Sequence, residues 1–255
     1  MKRDALGRLE VDLITDNVFD HLMTLILSLK GKDGMVLAAD SRGTIGDPRG
    51  LTAINDSYTK LFKLSDHCGI AVAGASELAA KLVDELRVTL NQGKQTWADA
   101  ILQETRKLMR ARYDDWFSKF KLEDRPNVNV IITGYHKDKQ NTVIPRTYLL
   151  ASPLDFAPQL SPKGNMLAGV PQYAVYLMHR LYNPAMGVAN LTRLAAYLIS
   201  ETATQDPEVG GPIRMASITE TAGFRELETS EVLEIIEVNE EQNTKLRNFF
   251  FEKKS

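Results

Sequence analysis

The hydrophobic positions begin as two short apolar runs separated by a turn. Residues 24–30, TLILSLK, are apolar and partly β-branched, which predicts a strand. The sequence GKDG follows, in which Asp-Gly favours a hairpin turn, and residues 35–40, MVLAAD, return as a second strand. Both runs are apolar on both faces, as is typical of strands that are covered on each side. The pattern therefore predicts a buried hairpin.

The pattern then passes through a polar loop into two further strands and two helices. Residues 44–57 are rich in Gly, Pro, Asn and Asp, which predicts a loop. Residues 58–64 alternate and residues 69–74 are apolar, so both are predicted to be strands. Two amphipathic helices are expected next, the first beginning at Ser76 and the second capped by Thr96.

The second half of the chain repeats this order of strands followed by helices. Residues 127–135 and 142–150 are predicted to form a pair of strands. Residues 151–165 are rich in Pro and irregular in pattern, which predicts a loop. Helical periodicity returns at about residues 171–183 and 189–204.

Two late strands and a charged tail complete the pattern. The strands are expected at residues 212–219 and 231–238, and residues 239–255 are expected to form a last helix or a docking tail. This order of strands, two helices, strands, two helices and strands indicates a segregated α+β fold. Two facing sheets with a helix pair on each outer side would bury every apolar strand face. The prediction is thus a four-layer αββα sandwich.

The composition changes this picture little, but it disfavours several classes of partner. A chain of 255 residues can form one large domain or two small ones, and we find no repeat or linker that divides it. The net charge of −2 gives no global positive field for nucleic acid or an anionic membrane. No segment reaches the roughly 18 apolar residues that span a bilayer. Residues 1–22 lack the apolar core of a secretory signal.

Cysteine and histidine add two further expectations. The single cysteine, Cys68, cannot form an internal disulfide, and it fits the reducing cytoplasm. It lies in the apolar run CGIAVAG, so we expect a buried core residue rather than a nucleophile. The four histidines are scattered without metal-ligand spacing. We therefore predict no structural metal and no cofactor.

The candidate chemistry begins at the first strand. Thr24 directly follows Met23 and opens the strand, and the second strand ends in AADSRGT at residues 38–44. Asp40 lies 16 residues after Thr24 (40 − 24 = 16). A threonine at this spacing before AADSRGT resembles the mature start of the proteasome β-subunit family of N-terminal nucleophile hydrolases.

Three further matches extend the resemblance over about residues 24–238. Lys60 precedes LFKL, and Gly74 ends the strand AVAG. Late in the chain, Asp206 lies shortly before the glycine pair at residues 210–211. AADSRGT in register with a threonine is a fairly specific signal, whereas each remaining match is weak by itself.

The resemblance implies a catalytic role for four residues. Thr24 would be the nucleophile, with its own α-amino group as the base once the preceding residues are removed. Lys60 would supply positive charge beneath it, and Asp40 would hold that lysine in place. Asp206 matches the aspartate that the family carries late in the chain.

The resemblance also implies how a substrate would bind. The backbone N–H of Gly74 could stabilise the oxyanion of the tetrahedral intermediate. Thr44, with Gly43 beside it, would pair with an extended peptide by strand addition. Val72 and Ser76 would shape the first specificity pocket. The expected substrate is a peptide or an unfolded protein.

At the level of the chain, the resemblance implies the four-layer αββα fold, a cytoplasmic location and assembly into a homo-oligomeric ring or with other proteasome-like subunits. Residues 1–23 would be an extension or an over-long start, and residues 24–238 the hydrolase domain. Residues 239–255 would be a tail available for an intersubunit contact.

The sequence departs from the family pattern at three positions. Met23 stands where self-cleaving precursors have glycine, so a methionine aminopeptidase acting on a chain that starts at Met23 would be the alternative route to a free Thr24. Val170 and Val209 stand where the family has serines, so two hydroxyl groups are missing near the nucleophile.

Several interpretations therefore stay open. The first is a threonine-type endopeptidase, the second a catalytically silent ring subunit, and the third an amide hydrolase of the same class acting on a small substrate. Residue by residue, Thr24 can be an ordinary strand residue, Asp40 a turn former and Lys60 a solvated strand lysine. Asp206 can simply turn the chain before a proline, and Thr44 can be a loop hydroxyl.

Overall fold

The strands form two facing antiparallel sheets and one separate hairpin in a computed structural model of the chain, which describes residues 24–46, 52–93 and 97–251. The described strands are β1 (Leu25–Lys30), β2 (Met35–Ala39), β3 (Gly43–Gly46), β4 (Thr52–Asn55), β5 (Leu61–Ser65), β6 (Cys68–Gly74), β7 (Val128–Lys137), β8 (Val143–Ala151), β9 (Gln159–Leu160), β10 (Met166–Gly169), β11 (Arg214–Thr219) and β12 (Gly223–Glu226).

The first sheet has the order β10-β1-β2-β11-β12, and the second has the order β5-β6-β7-β8-β9. The described α-helices are α1 (Ser76–Gly93), α2 (Ala98–Phe117), α3 (Gln172–Leu181), α4 (Val188–Gln205) and α5 (Thr229–Phe251). Two short 3-10 helices lie at Leu122–Asp124 and Ser152–Leu154. None of the described helices is both long enough and apolar enough to cross a membrane.

The alternation of side chains along β1 builds two cores at once, because successive residues of a strand point to opposite faces. Leu25, Leu27 and Leu29 pack with the buried faces of α3 and α4 on the outer side of the first sheet. Ile26 points the other way and packs between the two sheets. Ser28 shares that inner face and bonds to hydroxyls of the second sheet.

The second sheet repeats this arrangement on the other side of the molecule. Ile70 and Val72 of β6 pack with the apolar faces of α1 and α2. Ala71 and Ala73 face the first sheet and join the core between the sheets. The layers are therefore helices, sheet, sheet and helices, which confirms the predicted α+β sandwich, with α5 as an additional helix packed on α4.

Two predictions of secondary structure were wrong. The predicted loop at residues 44–57 contains β3 and β4, which pair from Gly43↔Asn55 to Gly46↔Thr52. Its turn-forming residues lie between the two strands, at positions outside the described residues, and their composition obscured the flanking pairing. The apolar run at residues 231–238 is helical and belongs to α5. Short apolar runs do not separate strand from helix by periodicity alone.

The remaining predictions missed some strands, were confirmed for two helices, and in part fall outside the described residues. The strands β10 and β12 were not predicted, and the loop expected at residues 151–165 holds β9. The helices expected at 171–183 and 189–204 are confirmed as α3 and α4. The expected cap at Thr96 and the expectations for residues 1–23 lie outside the described residues.

Candidate active site

Three strands bring Thr24, Asp40 and Lys60 together at one end of the sandwich. Thr24 directly precedes β1, Asp40 directly follows β2, and Lys60 directly precedes β5. Since β1 and β2 are antiparallel neighbours, the start of one lies beside the end of the other. The three residues are 1%, 1% and 0% exposed, so their polar groups depend on partners within the protein.

The Lys60 ammonium occupies the centre of this group. Its Nζ atom donates to Thr24 Oγ1 at 2.6 Å and to Asp40 Oδ1 at 2.9 Å, and it also donates to the carbonyl oxygen of Arg42. An ammonium has three N–H donors and no acceptor, so these three bonds satisfy the buried group completely. In this state, Lys60 acts on Thr24 as a charged donor and not as a base.

The Asp40 carboxylate is held by backbone donors as well as by Lys60. The N–H of Leu25 donates to Oδ1 at 3.0 Å, and the N–H groups of Arg42 and Gly210 each donate to Oδ2 at 3.1 Å. Hydrogen bonds to a carboxylate favour its ionised form. The strand ends and the turn before β11 therefore fix the orientation of Asp40.

Burial acts on the two charges in opposite directions. Burial raises the pKa of Asp40 above its ordinary value, while the Lys60 charge and the N–H groups of Leu25 and Gly210 oppose that rise. Burial likewise lowers the pKa of Lys60, and the Asp40 charge opposes that fall. Each charge thus opposes the effect of burial on the other, and losing either partner would shift the pKa of the remaining group further.

The backbone of Thr24 is fixed by the strand on its other side. The N–H of Val170 donates to the Thr24 carbonyl oxygen at 2.7 Å. Gly169 has φ +100°, and a Cβ at this position would lie 1.8 Å from that same oxygen. Only glycine fits this close approach, so the end of β10 and the start of β1 specify one position for Thr24.

The residues predicted to hold a peptide lie on β3. Gly43 and Thr44 pair with Asn55 and Ile54 of β4, and in the described part of the chain β4 is the only strand neighbour of β3. The Thr44 hydroxyl oxygen is buried and has no hydrogen-bond partner among the described residues. Gly43 packs closely on the ring of Tyr58, which leaves no room for a side chain.

The remaining substrate-binding predictions fall around the end of β6. Gly74 is its last residue and has φ +100°, in the left-handed region that favours glycine. Val72 is fully buried, with its side chain in the core beneath α1 and α2. Ser76 begins α1, and its side chain lies outside what the structure describes.

The Asp206 carboxylate accepts a hydrogen bond within the turn that follows α4. Asp206 follows α4 directly, and its Oδ1 atom accepts the N–H of Glu208 at 2.9 Å. Its backbone carbonyl accepts the N–H of Val209 at 3.2 Å. Val209 and Val170 are both buried in the apolar core on the α3 and α4 side. These two positions therefore contribute packing where the family pattern has hydroxyl groups.

Arg42 is a site residue that sequence reasoning did not single out. Its backbone contacts both Asp40 and Lys60, as described above. Its guanidinium forms a two-point ion pair with Asp56, with N–O distances of 2.8 and 3.0 Å, and donates to the Pro207 carbonyl at 3.0 Å. The available signal was its position in AADSR, two residues after Asp40.

The sequence of this chain is similar to those of known proteins. A family model described as Proteasome subunit matches residues 24–147. Proteasome subunit beta 1 of Thermococcus sibiricus is 24% identical over 222 residues, which cover 84% of this chain and 94% of that protein. Proteasome subunit beta 1 of Thermococcus onnurineus is 26% identical over 216 residues, covering 82% and 94%. Proteasome subunit beta 2 of Nitrosopumilus maritimus is 34% identical over 80 residues, covering 31% and 36%.

The family match begins at Thr24, directly before β1, and the long alignments include both helical layers. The fold is that of an N-terminal nucleophile hydrolase, and the relatives that align with most of this chain are named as proteasome β subunits. Together, the family match and the long alignments support a proteasome β-like family for this chain.

Proposed function

We propose that this chain is a threonine-type endopeptidase whose nucleophile is Thr24, exposed as the first residue after residues 1–23 are removed. The observation that carries the proposal is the 2.6 Å hydrogen bond from Lys60 Nζ to Thr24 Oγ1 inside a site that Asp40 neutralises. A hydroxyl is a weak nucleophile at its free pKa, and a nearby ammonium stabilises the alkoxide that develops on it.

The base in this mechanism is the α-amino group of Thr24. An α-amine has a reference pKa of about 7.7–8.0, so a neutral fraction is present near neutral pH. It takes the hydroxyl proton as Oγ1 attacks the peptide carbonyl, and it returns that proton to the leaving amine as the tetrahedral intermediate collapses. Water then attacks the acyl-enzyme ester, releases the second product as a carboxylic acid and regenerates the Thr24 hydroxyl.

The backbone of the neighbouring strands would hold the substrate. An extended peptide would pair with Thr44 and Gly43 along the edge of β3 that faces away from β4. The N–H of Gly74 would donate to the oxyanion. The roles of Val72 and Ser76 in a specificity pocket, and of Asp206 in catalysis, stay predictions.

The proposal includes assembly with further subunits in the cytoplasm. The support is that the relatives carry the word subunit in their names. A ring would enclose the Thr24 sites and restrict them to extended peptides or unfolded proteins. The cytoplasmic location rests on the single cysteine, which needs no oxidising compartment.

A catalytically silent subunit is the second candidate, and one observation favours it. Val170 and Val209 fill their positions with buried methyl groups, so no hydroxyl at these positions can orient the amine. A hydrolase that acts on a small amide is the third candidate, since the same nucleophile and charge arrangement serves any amide bond.

The test combines the mature N-terminus with turnover. Intact-mass analysis of the purified full chain should show a species that begins at Thr24. That protein should cleave fluorogenic peptides, Thr24→Ser should keep measurable activity, and Thr24→Ala should lose about a thousandfold or more in kcat because the nucleophile is gone.

Each other outcome identifies a different function. A chain that keeps its preceding residues and cleaves nothing is a silent subunit. Turnover of small amides without peptide cleavage identifies the third candidate. Peptide cleavage that survives Thr24→Ala overturns the proposed mechanism.

A further inference from the structure

The far end of α5 presents a large apolar surface that the other described residues do not cover. Every residue from Thr244 to Phe251 is exposed, over two turns of the helix. The exposed fractions are 56% for Leu246, 72% for Phe249, 73% for Phe250 and 82% for Phe251. We call residues 244–251 the aromatic end. Contiguous exposed apolar surface of this kind marks an interaction site.

The aromatic end cannot fold back onto the region where α5 begins. Val232 is buried near the start of the helix, and Asn239 and Asn243 bond to α4 at 3.1 and 2.6 Å. A helix rises 1.5 Å per residue, so the 23 residues of α5 separate its two ends by roughly 35 Å. A contact of the aromatic end with the surface at the other end of α5 must therefore be made between two molecules.

A cavity of about 520 Å³ lies at that other end. It is bordered by the segment before β5, the segment into β11, and the connection from β12 to α5, and we call it the acidic cavity. Its charged lining residues are Asp56, Glu226, Glu228 and Arg214. Arg42 pairs with Asp56 and Arg214 pairs with Glu226, so the charge of Glu228 leaves a net charge of −1 (2 − 3). Its apolar lining residues are Pro212, Ile213, Leu227 and Val232.

The aromatic end carries the complementary chemistry. Lys245 and Arg247 give it a charge of +2, and no acidic residue lies between positions 244 and 251. Leu246, Phe249 and Phe250 stand three and four residues apart, so they share one face of the helix. An apolar face with flanking positive charge fits a cavity with apolar walls and negative charge.

We infer that the aromatic end of one molecule docks in the acidic cavity of a second copy of this chain. The two surfaces differ, and every copy has one of each, so the contact is head to tail. A head-to-tail contact repeats until it closes into a ring or continues as a filament. The inference extends the proposed assembly by naming the contacting elements, and it requires no chemistry at Thr24.

The first test is the effect of a charge on the apolar face. Leu246→Glu in the full chain should raise the concentration at which half of the assembly dissociates by at least tenfold, as measured by sedimentation velocity and light scattering. Leu122→Glu is the matched control, because Leu122 is 81% exposed on another surface. Its assembly should match that of the unchanged protein, and circular dichroism should show that both variants are folded.

The second test reverses the paired charges. Glu228→Lys and Arg247→Glu should each weaken the assembly, and the two together should restore at least half of the lost association, because opposite charges face each other again. A monomeric unchanged protein, an unchanged mass for Leu246→Glu, or a double variant that is no better than the single ones would each overturn the inference. The measured quantity is mass, so an assembled protein without peptidase activity contradicts only the proposed function.

Discussion

The Lys60 side chain is fully buried. All three N–H groups of its ammonium donate hydrogen bonds, to Thr24, Asp40 and Arg42. Taking an ammonium and a carboxylate out of water costs several kcal/mol for each ion, and an apolar pair of the same size is often as stable. Stability alone therefore does not explain this ion pair. The role proposed for its charge at the Thr24 hydroxyl would explain it.

Asp40→Asn tests whether the proposed peptidase activity needs the charged form of Lys60. The change removes the charge that opposes the effect of burial, so the pKa of Lys60 should fall further. A lower pKa means that the ammonium loses its proton at a lower pH. The alkaline limb of kcat/KM, measured from pH 6 to 10, should therefore move to lower pH by about one unit or more.

The matched control is Asp66→Asn, because Asp66 is an exposed carboxylate that pairs with Lys63 on the surface. Its alkaline limb should coincide with that of the unchanged protein. An alkaline limb that stays in place or moves to higher pH in Asp40→Asn would contradict the role of Lys60 as a charged donor.

The two sheets are joined by a buried cluster of three hydroxyl groups. Thr133 of β7 donates to Ser28 of β1 at 2.7 Å. Thr147 of β8 lies 3.2 Å from the Ser28 oxygen and 3.3 Å from that of Thr133. Because these atoms lie between the sheets, each depends on the others for its hydrogen bonds. The cluster fixes how one sheet sits on the other.

Thr133→Val should lower the free energy of unfolding by about 1–3 kcal/mol, since valine keeps the shape and leaves two buried hydroxyls without the shared partner. The triple variant that adds Ser28→Ala and Thr147→Val should lose less than the sum of the three single changes. Urea denaturation measures these values. Thr89→Val at an exposed helix position is the control and should change stability by about 0.5 kcal/mol or less. Strict additivity would argue against a coupled cluster.

Both sheets contribute to the core between them, so the stability of each sheet and its helices depends on the other. Ile26 and Leu37 of the first sheet pack against Ala71 and Ile131 of the second. Removing either sheet would expose the inner face of the other to water. The two halves should therefore unfold in one transition.

The two tryptophans allow a direct test. Trp116 packs with α1 and α2, and Trp97 stacks on His67, so fluorescence reports on the second sheet and its helices. Far-UV circular dichroism also reports α4 and α5. At one protein concentration, the two urea transitions should coincide. Leu86 and Leu198 lie on opposite outer layers. Changing either one to Ala should lower the free energy of unfolding obtained from both curves by about 2–5 kcal/mol. Separate midpoints would mean that the layers unfold independently.

Much of the architecture was accessible from local pattern. The runs at residues 24–30 and 35–40 are apolar throughout, and the helical stretches keep one apolar face, so their types were predicted correctly. The run at residues 231–238 was wrongly assigned to a strand. Val232, Ile235 and Ile236 are spaced for one helical face, and their packing against the α4 side decides the outcome.

The sequence by itself determined the order of strands and helices and the αββα layering, because periodicity is a property of the chain. Its resemblance to the proteasome β-subunit family gave Thr24, Asp40 and Lys60 as candidates. Only the tertiary structure decided that their side chains meet, that the Arg42 carbonyl completes the bonds of Lys60, and that α5 leaves its aromatic end exposed. Such contacts depend on the register between strands far apart in sequence and on which surfaces remain uncovered, and no local pattern carries that information.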